Sequence, residues 1–224
     1  MAEIVIIGTS HISRQSVAEI RQAIETHHPQ CVAVELDMKR LHALLSKQKP
    51  SISFGDMFRI GIKGFMFALI GSYVQKKLGK LVGTAPGSDM LEAVKLAKKN
   101  MMKIALIDQD IEITLRRFSN TLSWRERFRF VWDIIKGAVM PKAELRRYGL
   151  DKIDLTRVPP EQLIKKMTLQ LKKRYPNVHN ILIRERNQHM IKQLKQLSEQ
   201  YPVIVAVVGA GHKEAIEKAV SARS

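Results

Sequence analysis

Four short apolar runs, rich in β-branched residues, constrain the fold of this chain more than any other feature of its sequence. They lie at Ile4–Ile7, Val32–Leu36, Lys103–Ile107 and Val203–Val208. Each run is nearly continuous and does not alternate with polar residues, which is typical of strands buried on both faces of a parallel sheet. The sequence therefore predicts a mostly parallel four-stranded core sheet.

The segments between and after these runs have the periodicity of helices. Between the first two runs, residues 13–26 carry apolar side chains at helical spacing, with Ser13 in the position of an N-cap. Before the third run, residues 89–100 are predicted to be helical, and Asp89 begins a capping-box pattern. Residues 213–222 follow the fourth run and are also predicted to be helical. This alternation of strands and helices indicates the α/β class.

Longer helical stretches interrupt this alternation. We expect a helical insertion at about 51–85, between the second and third strands, and another at about 119–200, which includes a long helix over Val178–Glu199. No low-complexity linker or internal repeat separates them from the strands. The sequence therefore predicts a single domain over residues 1–224.

The net charge of +17 is the most unusual bulk property of the chain. Such a charge attracts polyanions, but Lys and Arg are spread along the sequence and no nucleic-acid-binding motif is present. We interpret the charge as a generally basic surface and do not expect nucleic acid as a partner. The single Cys31 and an opening segment that resembles a first strand, without a signal peptide, favour the cytoplasm.

Two apolar stretches supply more apolar surface than is needed to cover the faces of a four-stranded sheet. One is the segment 60–74, which is too short to span a bilayer, and the other is an amphipathic helix predicted over residues 121–140. We predict that they form a homodimer interface with four side chains buried between subunits, namely Phe65, Phe67, Leu69 and Trp132. Packing on the sheet of the same subunit is one alternative. Peripheral membrane association is another, because a polybasic flank follows the first stretch at Lys76, Lys77 and Lys80.

The chemistry is expected at the carboxyl ends of the strands, where loops of an open parallel sheet converge. The first strand ends in GTSH and the last in GAGH, so that a GxxH motif delivers His11 and His212 to the same edge. The second strand ends at Glu35, and the third is followed by Asp108 and Asp110. Repeated imidazoles beside carboxylates at one edge indicate a functional site.

These residue types fit two chemistries. His11, Glu35 and His212 could hold a divalent metal such as Mn, Co or Zn, with a position open for water. Alternatively, a histidine polarised by Glu35 could act as a general base without metal, while the second histidine stabilises an oxyanion. The sequence does not choose between them. No GxSxG elbow is present, and Cys31 lies in an apolar run.

Six sequence blocks, in order, resemble the TraB/PrgY family, which is related to the Tiki proteins and the erythromycin esterases. They are GTSHIS, AVELDMKR, PGSDMLEAVKLAKK, ALIDQDIEITLRR, IRERNQHM and VVGAGH. The resemblance runs from about residue 4 to 216. It implies the α/β fold of those relatives and a hydrolase-like site that uses His11, Glu35 and His212.

The resemblance also implies supporting residues and a range of activities. The supporting positions that match the family blocks, together with the strand-end Asp108, are Arg40, Asp108, Asp110, Arg116, Glu185 and Arg186. They either contact substrate or form an ion-pair network. Tiki proteins are described as metal-dependent proteases, the esterases as ring-opening hydrolases, and PrgY as shutting down a peptide pheromone. We therefore expect a hydrolase of peptide or small ester bonds, with a non-catalytic peptide-sequestering protein as the alternative and a membrane or nucleic-acid binder as a third hypothesis.

One block departs from the family pattern. Where the family often has G-x-E-M, this chain has Gly87, Ser88, Asp89 and Met90. The Asp89 side chain is shorter than the Glu of the family pattern by about one methylene, so that we expect Asp89 to do no more than cap its helix.

Overall fold

A four-stranded parallel sheet with the strand order β1-β4-β2-β3 forms the centre of the fold. The structure is a computed structural model, and it describes residues 2–9, 14–46, 87–126, 128–129, 132–133 and 161–221. The strands are β1 (Glu3–Thr9), β2 (Cys31–Val34), β3 (Lys103–Leu106) and β4 (Val203–Gly209). All pairings are parallel. The predicted α/β class and parallel sheet are confirmed.

Helices connect the strands, and one more follows the last strand. They are α1 (Arg14–His27), α2 (Met38–Leu45), α3 (Ser88–Lys99), α4 (Ile111–Thr121), α5 (Glu161–Arg174), α6 (Pro176–His179), a π-helix (Asn180–Glu185), α7 (Arg186–Ser198) and α8 (Ala210–Ser221). The long helix predicted over Val178–Glu199 is helical along the chain as far as Ser198, but a π-helical segment interrupts its α-helical hydrogen bonding.

Side chains of the strands alternate between two apolar layers, as the pleat of a strand requires. On one face, valines of β2 and β4 pack against α1 and α3, with Ile20, Ile24, Met90 and Val94 among the helix residues. On the other face, Cys31, Ala33, Ile204, Ala206 and Val208 pack against α7 and α8, with Met190, Leu194 and Ile216. Burial of both faces explains why these strands have continuous apolar sequences.

Two predicted helix starts are wrong. The helix predicted to start with an Asp89 cap begins at Ser88, and its N-cap is Gly87 with a φ of 82°, a left-handed conformation that favours glycine. The Asp89 carboxylate is buried and accepts a hydrogen bond from the neighbouring Met90 amide at 2.8 Å. The last helix begins at Ala210, directly after β4, and not at residue 213. His212 therefore lies in the first turn of α8.

A buried carboxylate links the chain after α4 to the start of α6. Glu126 is 3% exposed and accepts hydrogen bonds from the Asn177 amide at 2.9 Å, the Asn177 side chain at 2.7 Å and the Ser123 amide at 3.1 Å. Residues 124–126, 128–129 and 132–133 are helical. Because these donors and the Ser123 hydroxyl, at 3.0 Å, converge on one carboxylate, Glu126 fixes where α6 begins.

Three aromatic side chains project from the helical residues that follow α4. Trp124, Phe128 and Trp132 are 71%, 72% and 57% exposed, and the rings of Trp124 and Phe128 lie 6.3 Å apart. Phe65, Phe67 and Leu69, like the insertion predicted at 51–85, fall outside the described residues. The homodimer interface therefore stays a prediction.

Within the described ranges, every helix is too short or too polar to cross a bilayer.

Candidate functional site

Two of the residues expected at the sheet edge meet because their strands are neighbours. β2 pairs with β4 up to Val34 and Val207, so that Glu35, just after β2, faces the first turn of α8 after β4. The Nε2 atom of His212 lies 3.5 Å from Oε1 of Glu35. Glu35 is 2% exposed and His212 is 5% exposed. The structure thus holds an imidazole and a carboxylate together, away from bulk water.

Arg186, the first residue of α7, connects both strand-end carboxylates. Its Nη2 donates to Oε1 of Glu35 in a very short hydrogen bond. Its Nε and Nη2 also donate to the two Asp108 oxygens at 2.9 and 2.7 Å, a bidentate geometry that matches guanidinium to carboxylate. Arg40 of α2 donates to Asp108 at 2.8 Å. Two guanidinium groups and two carboxylates therefore balance in charge.

Arg186 stays charged in this environment. Burial by itself lowers the pKa of its guanidinium, but the charges and hydrogen bonds of Glu35 and Asp108 outweigh burial, so that the net change raises the pKa above its usual value. The second oxygen of Glu35 accepts a hydrogen bond from the backbone amide of Gly209. Both carboxylate oxygens of Glu35 thus face donors.

The His212 ring contacts a polar group at each nitrogen. Nη1 of Arg186 lies 3.3 Å from Nε2, and Oδ1 of Asn187 lies 2.6 Å from Nδ1. Because consecutive residues of α7 reach opposite edges of the ring, the imidazole plane is fixed from both sides. Asn187 is 7% exposed. Sequence reasoning missed Asn187, and the only signal was its place in the IRERNQHM block beside Arg186.

The first GxxH glycine allows α8 to approach the sheet. A Cβ at Gly8 would lie 2.8 Å from Cδ and 3.2 Å from Cβ of Lys213, the residue after His212. A Cβ at Gly211, within the first turn of α8, would meet nothing within 4 Å. The two positions therefore differ: a side chain at Gly8 would press against Lys213, next to His212, while Gly211 borders open space.

The other predicted supporting residues contact different partners. Asp110 is the N-cap of α4, with its side chain accepting from the Glu112 amide at 2.7 Å and from Lys39 at 3.0 Å. Glu185 pairs with Arg117 at 2.7 Å. Arg116 lies exposed on α4. The structure therefore gathers Arg40, Asp108 and Arg186 around Glu35 and His212, while Asp110 and Glu185 pair with Lys39 and Arg117.

His11 lies outside the described residues, so that its predicted place at this edge stays a prediction. Cys31 is fully buried in β2, and burial, opposed weakly by Lys103, raises the pKa of its thiol to about 11. A thiol with that pKa is not a nucleophile at neutral pH.

A divalent metal does not fit the described pair as it is arranged. Both oxygens of Glu35 already accept hydrogen bonds, from Arg186 and Gly209, and a positive guanidinium lies 3.3 Å from the Nε2 atom that would bind the cation. Metal binding would require Arg186 to move away. Within the described part of the chain, no three His, Cys, Asp or Glu side chains are arranged so that they could hold a metal ion. The metal alternative stays a prediction.

The fold and the cluster together define the class of protein. It is an α/β protein whose parallel sheet carries a buried Glu–Arg–His cluster at the carboxyl ends of its strands. The model of the TraB/PrgY/gumN family matches residues 2–221. The chain belongs to this family.

Two relatives of the chain are longer than the part of them that it matches. An uncharacterized protein of Methanocaldococcus jannaschii is 33% identical over 216 residues, which cover 96% of this chain and 52% of that protein. The human TraB domain-containing protein is 24% identical over 243 residues, which cover 97% of this chain and 62% of the human protein. The chain therefore spans little more than half the length of these relatives.

Proposed function

We propose that this chain is a hydrolase of peptide or small ester bonds in which His212 is the general base. The observation that carries the proposal is the position of the His212 Nε2 atom. It lies between a group that can only donate, Nη1 of Arg186 at 3.3 Å, and a carboxylate oxygen of Glu35 at 3.5 Å. A nitrogen with these neighbours can hold a lone pair and can also hold a proton.

The proton transfer proceeds as follows. A water molecule displaces Nη1 of Arg186 from the lone pair of His212 Nε2, Nε2 takes a proton from this water, and the hydroxide attacks the substrate carbonyl to form a tetrahedral oxyanion. The imidazolium that forms is stabilised by Glu35, which Arg186 and Gly209 hold in place. The proton then passes to the leaving amine or alcohol as the carbonyl reforms. His11, predicted at the same edge, would donate to the oxyanion.

Burial increases the effect of these charges. Glu35 and His212 are almost fully shielded from solvent, and charge interactions are stronger where water is excluded. Arg186 balances the buried carboxylates before the reaction starts, so that only the charge that develops during the reaction needs new stabilisation. The arrangement therefore supports base catalysis without a metal.

Turnover of a fluorogenic peptide library and a panel of small esters tests the proposal. We expect hydrolysis by the intact chain that survives a chelator and that falls by about 10²-fold or more in His212→Gln. The matched control is His189→Gln, which alters a half-buried histidine of α7 outside the cluster. Activity that appears only with added Mn²⁺, Co²⁺ or Zn²⁺ would replace the general-base mechanism with the metal alternative.

Saturable peptide binding without turnover in any condition would contradict the hydrolase proposal. It would instead support the peptide-sequestering alternative, since the same edge would then hold a ligand without cleaving it.

A further inference from the structure

We propose that Asn187 is a positioning residue that holds His212 as the tautomer with its proton on Nδ1. The inference rests on the proposed function for its catalytic consequence, but its physical content is a proton position that can be measured in the resting protein. Asn187 is 7% exposed, and its Oδ1 atom lies 2.6 Å from Nδ1 of His212.

The proton position follows from the other edge of the ring. Nη1 of Arg186 lies 3.3 Å from Nε2, and a guanidinium nitrogen donates hydrogen bonds but cannot accept them. Oε1 of Glu35, the other neighbour of Nε2, lies farther away at 3.5 Å and already accepts from Arg186, so that Nε2 presents its lone pair to Arg186. A neutral imidazole carries one proton, which must then lie on Nδ1, and that N–H needs an acceptor. Oδ1 of Asn187 is that acceptor.

The same argument fixes the orientation of the Asn187 amide. If the amide nitrogen faced the ring, two N–H groups would oppose each other at 2.6 Å, with no acceptor between them. Arg186 and Asn187 act together on the ring: a donor faces Nε2, and the carbonyl oxygen of Asn187 faces Nδ1. Without the Asn187 oxygen, a proton on Nε2 would have Oε1 of Glu35 as its acceptor at 3.5 Å. The burial of both side chains keeps water from replacing this contact.

Helix α7 positions both Arg186 and Asn187 beside His212. Arg186 and Asn187 are the first two residues of α7, directly after the π-helix Asn180–Glu185. Consecutive helical residues point about 100° apart, so that they can contact two atoms on opposite sides of one small ring. A π-helical turn at this point is consistent with a functional site, where such turns are frequent.

Asparagine suits this role better than aspartate. It accepts the Nδ1 proton without adding a third carboxylate to the cluster that already contains Glu35 and Asp108. A neutral acceptor fixes the tautomer and leaves charge stabilisation of the imidazolium to Glu35.

Nitrogen-15 NMR of the intact chain, labelled in histidine, tests the proposal at a pH above the imidazole titration. We assign His212 as the signal lost in His212→Gln, and we expect a protonated Nδ1 and an unprotonated Nε2. In Asn187→Leu, Nδ1 loses its acceptor, so that the proton should move to Nε2 and bond to Glu35. In Asn187→Asp, the acceptor remains and the Nδ1 tautomer should persist.

Gln188→Leu is the matched control, because Gln188 is the exposed neighbour on the same helix and should leave the His212 signals unchanged. A wild-type His212 with its proton on Nε2 would overturn the proposal even if a variant failed to fold. An unchanged tautomer in a folded Asn187→Leu protein would overturn it as well.

Kinetics separate this inference from the proposed function. If hydrolysis is found, Asn187→Leu should lower kcat by about 10²-fold with little change in KM, and Asn187→Asp should restore most of it. If no substrate is turned over but the NMR result holds, the hydrolase proposal fails and the tautomer assignment stands.

Discussion

At the scale of single residues, Arg186 has the largest electrostatic role in the site. It is the shared partner of Glu35 and Asp108, which are 2% and 8% exposed. A buried carboxylate that loses its partner keeps its desolvation cost without compensation. Arg40 contributes less, because it is one third exposed and contacts only one of the two acids among the described contacts.

Arg186→Met should therefore destabilise the protein by about 3–5 kcal/mol, since it leaves two buried carboxylates without their main counter-charge. Arg40→Met, the matched variant, should cost about 1 kcal/mol or less, because Asp108 keeps its bidentate pair with Arg186. Urea unfolding followed by circular dichroism measures both. Equal losses in the two variants would contradict the assignment of Arg186 as the main partner.

Part of the cluster of Glu35, Arg186 and His212 could be predicted from the sequence and part of it could not, for a physical reason. Glu35 and His212 were predicted at one edge because each follows a strand, and parallel strands bring their carboxyl ends together. Their catalytic role stays a prediction. Asn187 lies inside a helical segment, where no periodicity distinguishes a polar residue that faces a ring from one that faces solvent. Its contact depends on how α7 packs, and packing is not encoded in local spacing.

At the scale of elements, two glycines near His212 should respond in opposite directions to the same change. Gly8→Ala places a methyl group 2.8 Å from Cδ and 3.2 Å from Cβ of Lys213 and should cost about 1–3 kcal/mol, because the Lys213 side chain, and with it the first turn of α8, has to give way. Gly211→Ala adds a methyl group in open space within a helix and should stabilise the protein by about 0.5–1 kcal/mol.

Thermal unfolding of both alanine variants provides the measurement. Hydrolysis assays on the same samples measure whether the Gly8→Ala protein also loses the proposed activity. We expect this loss because the displaced turn carries His212. A destabilised Gly211→Ala protein would contradict the open space beside Gly211. A Gly8→Ala protein as stable as the wild type would contradict the close contact between Gly8 and Lys213.

The contacts of Glu126 with the start of α6 should make the stability of the protein depend on pH. Burial raises the pKa of this carboxyl, but hydrogen bonds from Asn177 and Ser123 outweigh burial and the net pKa is lowered. A carboxyl with a lower pKa in the folded state contributes stability above its unfolded pKa of about 4.3, and this is lost as the pH falls toward the folded value. We expect Glu126→Gln to cost about 1–3 kcal/mol at neutral pH and progressively less below about pH 4.

The control for this pH dependence is Glu217→Gln, which alters an exposed acid paired with Lys213 at 3.6 Å. Its effect should stay within a few tenths of a kcal/mol at every pH. Urea unfolding at several pH values compares the two variants. A Glu126→Gln difference that does not change with pH would mean that the capping contacts do not depend on the charge.

Element boundaries show where sequence reasoning was weakest. The strand positions were predicted within a few residues because burial on both faces imposes continuous apolar runs. The start of α3 was misplaced, since an acid with capping-box spacing looks the same in sequence whether it caps a helix or turns inward as Asp89 does. The start of α8 was misplaced because a GAGH turn after a strand resembles a loop until the helix is seen to begin at Ala210.

At the scale of the whole molecule, the exposed aromatic residues are expected to be a contact surface. Trp124, Phe128 and Trp132 present more apolar area to solvent than isolated surface residues do, and we predict that they contribute to a homodimer. Sedimentation velocity at micromolar concentration should give the mass of a dimer, and Phe128→Ser should shift it toward the monomer.

Sedimentation with anionic liposomes, at low and high salt, distinguishes membrane association from dimerisation. Salt-sensitive binding of a monomer would favour the membrane surface, because electrostatic attraction of a +17 chain weakens as salt is added. A monomer that ignores liposomes at low salt would contradict both.

The strand order has a consequence for how the chain reaches its native state during synthesis. β4 pairs with both β1 and β2, which do not pair with each other, so that the last of the four described strands to be synthesised occupies a central place in the sheet. Until β4 and α8 emerge, β1 lacks its partner among the described strands, and Glu35 has neither its Gly209 amide nor His212. Nascent chains stalled before β4 should therefore be open to proteases, whereas release of β4 and α8 brings the sheet, the core and the contact between Glu35 and His212 together.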